Sequence, residues 1–228
     1  MKKIMLLANT GWFIYNFRLS LLKDISHSNY EVVVIAPYDK YTQKLQSLGY
    51  KVYDWKLNRS SLNPFLELFS ILNLIKRIHH EKPDLIHNFT IKACLYGTIA
   101  SKITNVKNVI NSITGLGPLF INNKIIIRII RFFLKPVYSF IFNSSGCKMI
   151  FENFEDQKYF IKIGIIKNRK NSFLIEGSGV DSEFFKPSKD DKYELAEPVK
   201  LLFPSRLILE KGIEEVLVAH NQLLKKGQ

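Results

Sequence analysis

The stretch DLIHNFTIKACLYG, residues 84–97, decides the fold. Asp84–Asn88 reads as a short apolar strand and Ile91–Lys102 as a helix, with only Phe89 and Thr90 between them. The same order repeats outward in both directions. Short β-branched runs at Lys3–Ala8, Glu31–Ala36, Lys51–Asp54, Asn108–Ser112, Lys148–Phe151 and Ser172–Ile175 read as further strands. Helical patterns at Phe17–His27, Tyr41–Leu48, Pro64–His80, Lys124–Phe142 and Glu155–Ile163 lie between them, with Asn63 and Pro64 forming a cap and first turn. Repeated β-α order predicts an α/β fold: a doubly wound, Rossmann-like parallel sheet with helices on both faces. Ligands of such sheets bind beyond the carboxyl ends of the strands, so the loops there are the candidate sites.

The chain has 228 residues, 46% of them hydrophobic, enough for one large or two small domains. Cys94 and Cys147 lack metal spacing and sit in apolar runs, as buried reduced thiols of a cytoplasmic protein do. Lys2 and Lys3 precede an apolar run, but it spans only Ile4–Ala8, so a first strand is expected rather than an export signal. The net charge of +13 is uneven. Residues 1–101 carry 13 basic and 7 acidic side chains, residues 102–172 carry 12 and 3, and residues 173–228 carry 8 and 10. A basic middle implies an anionic partner: nucleic acid, a membrane surface or a phosphorylated ligand. No nucleic-acid recognition motif accompanies the charge, so nucleic acid is not expected.

Four loops and one helix carry candidate chemistry. After the first strand comes Asn9–Asn16, read as a loop, where Gly11 permits positive φ or close approach to a ligand. No GxGxxG accompanies it, and Trp12, Phe13 and Tyr15 are either core or a platform for a sugar or lipid. His87 ends the fourth strand, placed either to hydrogen-bond a ligand or as a satisfied buried residue. Thr114, Gly115 and Gly117 follow the fifth strand, and Gly177-Ser178-Gly179-Val180-Asp181 follows the seventh. Small residues there suit close approach to a phosphate or sugar. In the long helix, Lys124, Arg128, Arg131 and Lys135 recur at steps of 4, 3 and 4, which puts four cations on one face among isoleucines and phenylalanines. Charge interrupts this run and Pro136 breaks it, so it does not span a bilayer; it fits either an interfacial helix on anionic lipid or a core helix with one solvated basic face.

The last segment, PVKLLFPSRLILEKGIEEVLVAHNQLLKK at 198–226, reads as a strand, a loop with Arg206 and Lys211, and one amphipathic helix opening at Gly212. Fixed cations beside a helix start suit a diphosphate. Between Phe185 and this segment, KPSKDDKYELAEP at 186–198 is polar and flanked by prolines, as a linker would be.

Taken in chain order, these segments resemble the family 4 glycosyltransferases, retaining sugar transferases of the two-domain GT-B fold. The resemblance rests on the glycine loop after the first strand and on D-L-I-H-x-F-T-x-K…Y-G at Asp84–Gly97. It continues with I-N-S-I-T-G-L-G at Ile110–Gly117, G-S-G-V-D-x-x-x-F at Gly177–Phe185 and S-R-L-x-x-x-K-G-I-E-E at Ser205–Glu215. The middle two are similar to a subgroup that adds amino sugars or hexoses to polyprenyl-diphosphate-linked glycans.

The resemblance implies a nucleotide-sugar donor, in particular a UDP-sugar, with no tightly bound cofactor and no metal. It implies that Arg206 and Lys211 hold the donor diphosphate, that Gly11 and Gly177 line the donor side, and that His87 contacts the transferred sugar. Asn16, Thr114 and Gly115 would face a polyprenyl-diphosphate-linked or other glycan acceptor. Residues 1–190 would form the acceptor-side domain, 191–198 a linker, and 199–228 the first β-α unit of an incomplete donor-side domain. The family's E-x7-E element has no counterpart after Lys211, so the chain alone is expected to transfer sugar poorly or not at all. The alternative is a non-catalytic basic α/β binding module, or one half of a split transferase. Either way the resemblance places the protein in the cytoplasm, peripheral on the inner face of the membrane.

Overall fold

The computed structural model describes residues 1–59, 61, 63–187, 201–205, 207 and 209–226. They divide into two compact units, Met1–Phe185 and Lys186–Gln228.

The first unit is a seven-stranded, fully parallel sheet with strand order β3-β2-β1-β4-β5-β6-β7. The strands are β1 (Lys3–Leu7), β2 (Glu31–Ala36), β3 (Lys51–Asp54), β4 (Leu85–Phe89), β5 (Asn108–Ile113), β6 (Cys147–Phe151) and β7 (Ser172–Leu174). The helices are α1 (Gly11–Phe17), α2 (Leu19–His27), α3 (Lys40–Ser47), α4 (Pro64–Glu81), α5 (Ile91–Ile103), α6 (Gly117–Ile121), α7 (Ile125–Phe142) and α8 (Phe154–Lys162). The order reverses between β1 and β4, which makes their carboxyl ends the topological switch point.

Strand periodicity divides the core in two. Met5, Leu7, Val33 and Ile35 point to one face and pack beneath α4, α5, α7 and α8 through Leu74, Ala93, Phe142 and Phe160. Leu6, Ala8, Val32 and Val34 point to the other, beneath Ile14 of α1, Leu22 of α2 and Leu45 of α3. Burial on both sides explains why EVVVIA reads as an unbroken apolar run. Beyond β4, the second face leaves Phe173 of β7 45% exposed.

The amino edge of the sheet is pinned by Glu81, at the end of α4. It accepts hydrogen bonds from Lys3 Nζ at 2.8 Å and Lys51 Nζ at 3.0 Å, and from the Tyr53 hydroxyl. Burial alone would raise its pKa, but these donors outweigh burial and lower it to about 2.

Four expectations need correction. Residues 11–17 are helix α1 rather than loop, because Thr10 caps them: its Oγ1 accepts the Phe13 N–H at 3.1 Å. The chain turns at Arg18, so the helix expected from Phe17 starts at Leu19. Pro136 does not break α7; it lies on the exposed side inside the helix. In the second unit, Leu201–Phe203 form no strand, since strands need paired neighbours and this unit supplies none among its described residues. Its helix α9 (Ile213–Lys225) buries no residue. The expected linker at 191–198 lies outside the described residues.

Candidate functional site

The carboxyl edge of the sheet gathers most of the residues singled out from the sequence. Because β4 alternates, Asn88 and His87 point to opposite faces. Asn88 turns toward α5, and its Nδ2 donates to Asn111 Oδ1 at 2.9 Å in the buried core. His87 turns the other way, paired in register with Leu6 and Ile110. Its ring stacks 4.1 Å from Phe89, and Nε2 lies 2.8 Å from Ser112 Oγ. Part of the His87 surface stays accessible, yet protein encloses it on most sides. Burial, and secondly the charge of Arg18, push its pKa down to about 3. His87 is therefore a neutral hydrogen-bonding group at physiological pH, unable to supply a positive charge.

Arg18 gave no signal in the sequence, because nothing marks the α1–α2 junction as a corner. It projects from that corner across the sheet. Its guanidinium lies 4.9 Å from the Phe89 ring centroid and 5.4 Å from that of Phe13, and Nη2 pairs with Glu152 at the end of β6. Nη1 also donates to the Ser178 carbonyl at 3.4 Å, and Ser178 Oγ approaches Glu152 Oε1 at 3.3 Å. The Gly177 N–H bonds the Glu152 carbonyl at 3.2 Å. Arg18 and Glu152 thus fasten the Gly177–Gly179 loop over the strand ends. Both glycines have positive φ, 69° and 71°, and nothing crowds them, so backbone conformation is what demands glycine there.

Thr90 is the most unusual residue of this edge. It joins β4 to α5 at the switch point with φ 74° and ψ 149°, a conformation that β-branched residues avoid. Its Oγ1 is buried without a hydrogen-bond partner among the described residues, as is Arg18 Nε nearby. Strain and orphaned polar atoms at a switch point are what a ligand-binding edge retains.

Other expected residues fall out differently. Gly11 has no positive φ. A Cβ there would lie 2.4 Å from Thr42 Cγ2 and 2.5 Å from Asp39 Oδ1, so close packing on α3 explains the glycine without a ligand. The first-turn N–H groups of α1 are partly used, since Asp39 Oδ2 accepts from Trp12 at 3.0 Å. Asn16 is exposed and donates its amide to the Trp12 carbonyl at 2.8 Å. Thr114 and Gly115 follow β5 at the same edge, Gly115 with φ 135° and open space around it. Lys92 is structural: its Nζ holds the carbonyls of Asn58 and Ser61 and, at 2.8 Å, Glu67. Lys211 is exposed in the second unit beside Gly212, whose φ is 77°. Arg206 lies outside the described residues.

The basic face of α7 is corrected in one member. Arg131 turns inward and donates from Nε to the Leu119 carbonyl at 2.8 Å and from Nη2 to the Asn122 carbonyl at 2.5 Å. Lys124, Arg128 and Lys135 remain exposed. Among the described residues, no helix is long and apolar enough to cross a membrane, and no group of three or more metal-ligating side chains assembles.

Comparison with known proteins agrees with this architecture. A family model described as glycosyl transferase 4-like matches residues 3–144. The N,N'-diacetylbacillosaminyl-diphospho-undecaprenol alpha-1,3-N-acetylgalactosaminyltransferase of Campylobacter jejuni is 28% identical over 235 residues, covering 99% of this chain and 61% of that protein. Among solved structures, Anabaena HepE in complex with UDP superposes with a TM-score of 0.56 at 20% identity, covering 83% of this chain and 47% of that one. Sucrose-phosphate synthase from Thermosynechococcus elongatus does so with a TM-score of 0.57 at 14% identity, covering 83% and 51%. These likenesses establish the fold, and the chain spans about half the length of each structure and 61% of the Campylobacter relative.

Proposed function

The chain belongs to the glycosyl transferase 4-like family, and from that premise we propose that it is the acceptor-side part of a retaining glycosyltransferase. In this reading the enzyme moves a hexose or N-acetylhexosamine from a nucleotide sugar, a UDP-sugar in particular, to a polyprenyl-diphosphate-linked glycan at the cytoplasmic face of a membrane. The observation that carries the reading is the carboxyl edge at the β1–β4 switch point. There a strained Thr90, its hydroxyl without a partner among the described residues, stands beside neutral His87 and the Arg18-fastened 177–179 loop. The name of the Campylobacter relative, an undecaprenyl-linked N-acetylgalactosaminyltransferase, supports the acceptor class.

The chemistry follows from which groups are charged. As the glycosidic bond to the nucleoside diphosphate breaks, negative charge grows on the departing phosphate. Lys211 and Arg206 are proposed to neutralise it, with Gly177 lining that side. Gly11 is a weaker donor-side candidate, because packing already accounts for it. His87 would orient the transferred sugar by hydrogen bonding alone, since its pKa near 3 rules out an imidazolium at neutral pH. Thr114 and Gly115 would face the acceptor, with Asn16 at the rim. Residues 1–190 are proposed as the acceptor-side domain, 191–198 as linker and 199–228 as the opening of the donor-side domain.

The test has two arms. The 228-residue chain should bind a polyprenyl-diphosphate-linked glycan while transferring sugar from labelled nucleotide sugars poorly or not at all. A fusion in which the remaining C-terminal part of the Campylobacter relative follows this chain should transfer it, and Lys211→Ala should damage that turnover far more than Lys226→Ala. A fusion that folds yet neither binds acceptor nor transfers any sugar would favour the alternative, a non-catalytic α/β binding module.

A further inference from the structure

We propose that the outward faces of α4 and α7, from their first turns to Lys76 and Lys135, together form a docking surface for an anionic lipid bilayer, set beside the carboxyl edge of the sheet. The purpose of such a surface rests on the lipid-linked acceptor proposed above; its geometry does not.

Both helices run antiparallel to the strands on the same side of the sheet. The end of α4 is fixed at the amino edge through Glu81, which bonds the first residues of β1 and β3, so its first turns lie at the carboxyl edge. α7 leaves the carboxyl edge after β5 and returns its last turn to the amino edge before β6. Between them, α5 is almost wholly buried. The outer surface of this layer is therefore shared by α4, α7 and α8, and α4 and α7 carry its exposed apolar stripes.

That surface is apolar where a soluble helix is usually charged. On α4, Glu67 faces inward to Tyr96 and Lys92. The opposite stripe presents Phe65 at 82% exposure, Phe69 and Leu72. On α7 the outward residues include Ile125, Ile129, Phe132 and Phe133, the phenylalanines 74% and 67% exposed. With Arg128, these four α7 residues line a shallow groove of about 490 Å³. Exposed apolar stripes of this size mark interaction surfaces.

Charge selects the occupant. α7 contains no acidic residue, and exposed Lys124, Arg128 and Lys135 run along one margin of its apolar face. Lys76 continues the outward stripe of α4. Apolar side chains bordered by cations, on helices that do not span, are the composition of an interfacial element on anionic lipid. A soluble acidic partner would match the cations and leave the phenylalanines in water. Arg131 takes no part, because its guanidinium is committed to backbone carbonyls.

The experiment is co-sedimentation of the 228-residue chain with phosphatidylcholine vesicles, with and without phosphatidylglycerol, in the absence of any sugar donor. The chain should pellet with anionic vesicles. Phe69→Ser and Phe132→Ser should each lower partitioning about tenfold. Arg128→Gln and Lys135→Gln should each lower it about fivefold on anionic vesicles only, and Arg131→Gln much less. The substituted phenylalanines are exposed, so unchanged circular dichroism separates lost binding from lost folding. The proposal is overturned if the chain stays in the supernatant, if the phenylalanine variants pellet like the parent, or if the same variants instead dissolve a stable dimer. Because no donor is present, failure here leaves the transferase reading standing, and failed transfer leaves this surface standing.

Discussion

Glu81, at the amino edge of the sheet, has three hydrogen-bond donors from the strands beside it, whereas Thr90, at the carboxyl edge, has a hydroxyl with no partner among the described residues. The first edge joins α4 to β1 and β3 and turns at Lys82, whose φ 48° and ψ 56° lie in the ordinary left-handed helical region. The second combines a positive-φ threonine, positive-φ glycines and an arginine with an orphaned Nε. Both edges are made by one sheet, so the difference is not a property of the fold. Polar groups saturated by protein stabilise; polar groups held unsatisfied are a standing cost that binding can relieve.

The contrast can be broken first by acid. His87 has a folded pKa near 3, below its ordinary 6.5, so the unfolded chain takes up that proton earlier. Stability should fall as pH drops from 6.5 toward 3, by about 1.4 kcal/mol per unit and as much as about 4 kcal/mol in all. Glu81, lowered from 4.5 to about 2, acts in a different window: its contribution is complete above pH 4.5 and is lost as pH falls toward 2. His87→Gln should flatten the urea-unfolding profile between pH 6.5 and 4.5 and leave only the Glu81 slope below it. An unchanged slope there would mean that the imidazole is not held neutral.

At neutral pH the largest single loss should come from the amino edge. Glu81→Gln removes the charge that Lys3 and Lys51 share and should cost about 3 kcal/mol in urea unfolding. Ligand binding at the other edge should stay within twofold. A larger effect on binding than on stability would dissolve the distinction between the edges.

Arg18 and Glu152 test whether the carboxyl edge is also a structural clamp. Their side chains are 11% and 17% exposed, so removing either partner strands the other in a partly buried site. Arg18→Ala and Glu152→Ala should each cost about 2 kcal/mol, and the double variant should cost little more than either alone. Additive losses would show that the pair does not hold the 177–179 loop.

How much of this was legible in the sequence differs between the same two regions. The seven strands could be read to within about a residue at each end, because burial on both faces forces apolar runs that periodicity detects. The placement of His87 and the glycine loops at the carboxyl edge was legible, because position at a strand end is itself a signal. Arg18, Glu152 and the saturation of Glu81 were not, since each depends on which distant residues the sheet brings together: Arg18 and Glu152 stand 134 positions apart. Gly11 was legible as a place of close approach, but only the fold reveals that Asp39 and Thr42 crowd it and that its φ is not positive. Leu201–Phe203 misled in the opposite direction, because strand propensity without a pairing neighbour makes no strand.

Thr90 offers the smallest effect and the sharpest one, because stability and function should move in opposite directions. At φ 74° and ψ 149° its backbone is strained, and its buried hydroxyl has no partner among the described residues. Thr90→Gly removes both penalties against a larger loss of backbone entropy on folding, for a net gain of about 1 kcal/mol. Thr90→Ser keeps the hydroxyl and most of the strain, so it should change stability little. If the hydroxyl waits for a ligand, the glycine variant should bind the acceptor, or transfer to it in the fusion, about tenfold more weakly than the serine variant. The two readouts exclude the simpler accounts. A threonine strained only by accident of packing would give stabilisation without loss of binding. A threonine that supports the fold would give destabilisation in both variants. Only a residue kept at a cost for its ligand gives a more stable protein that binds less well.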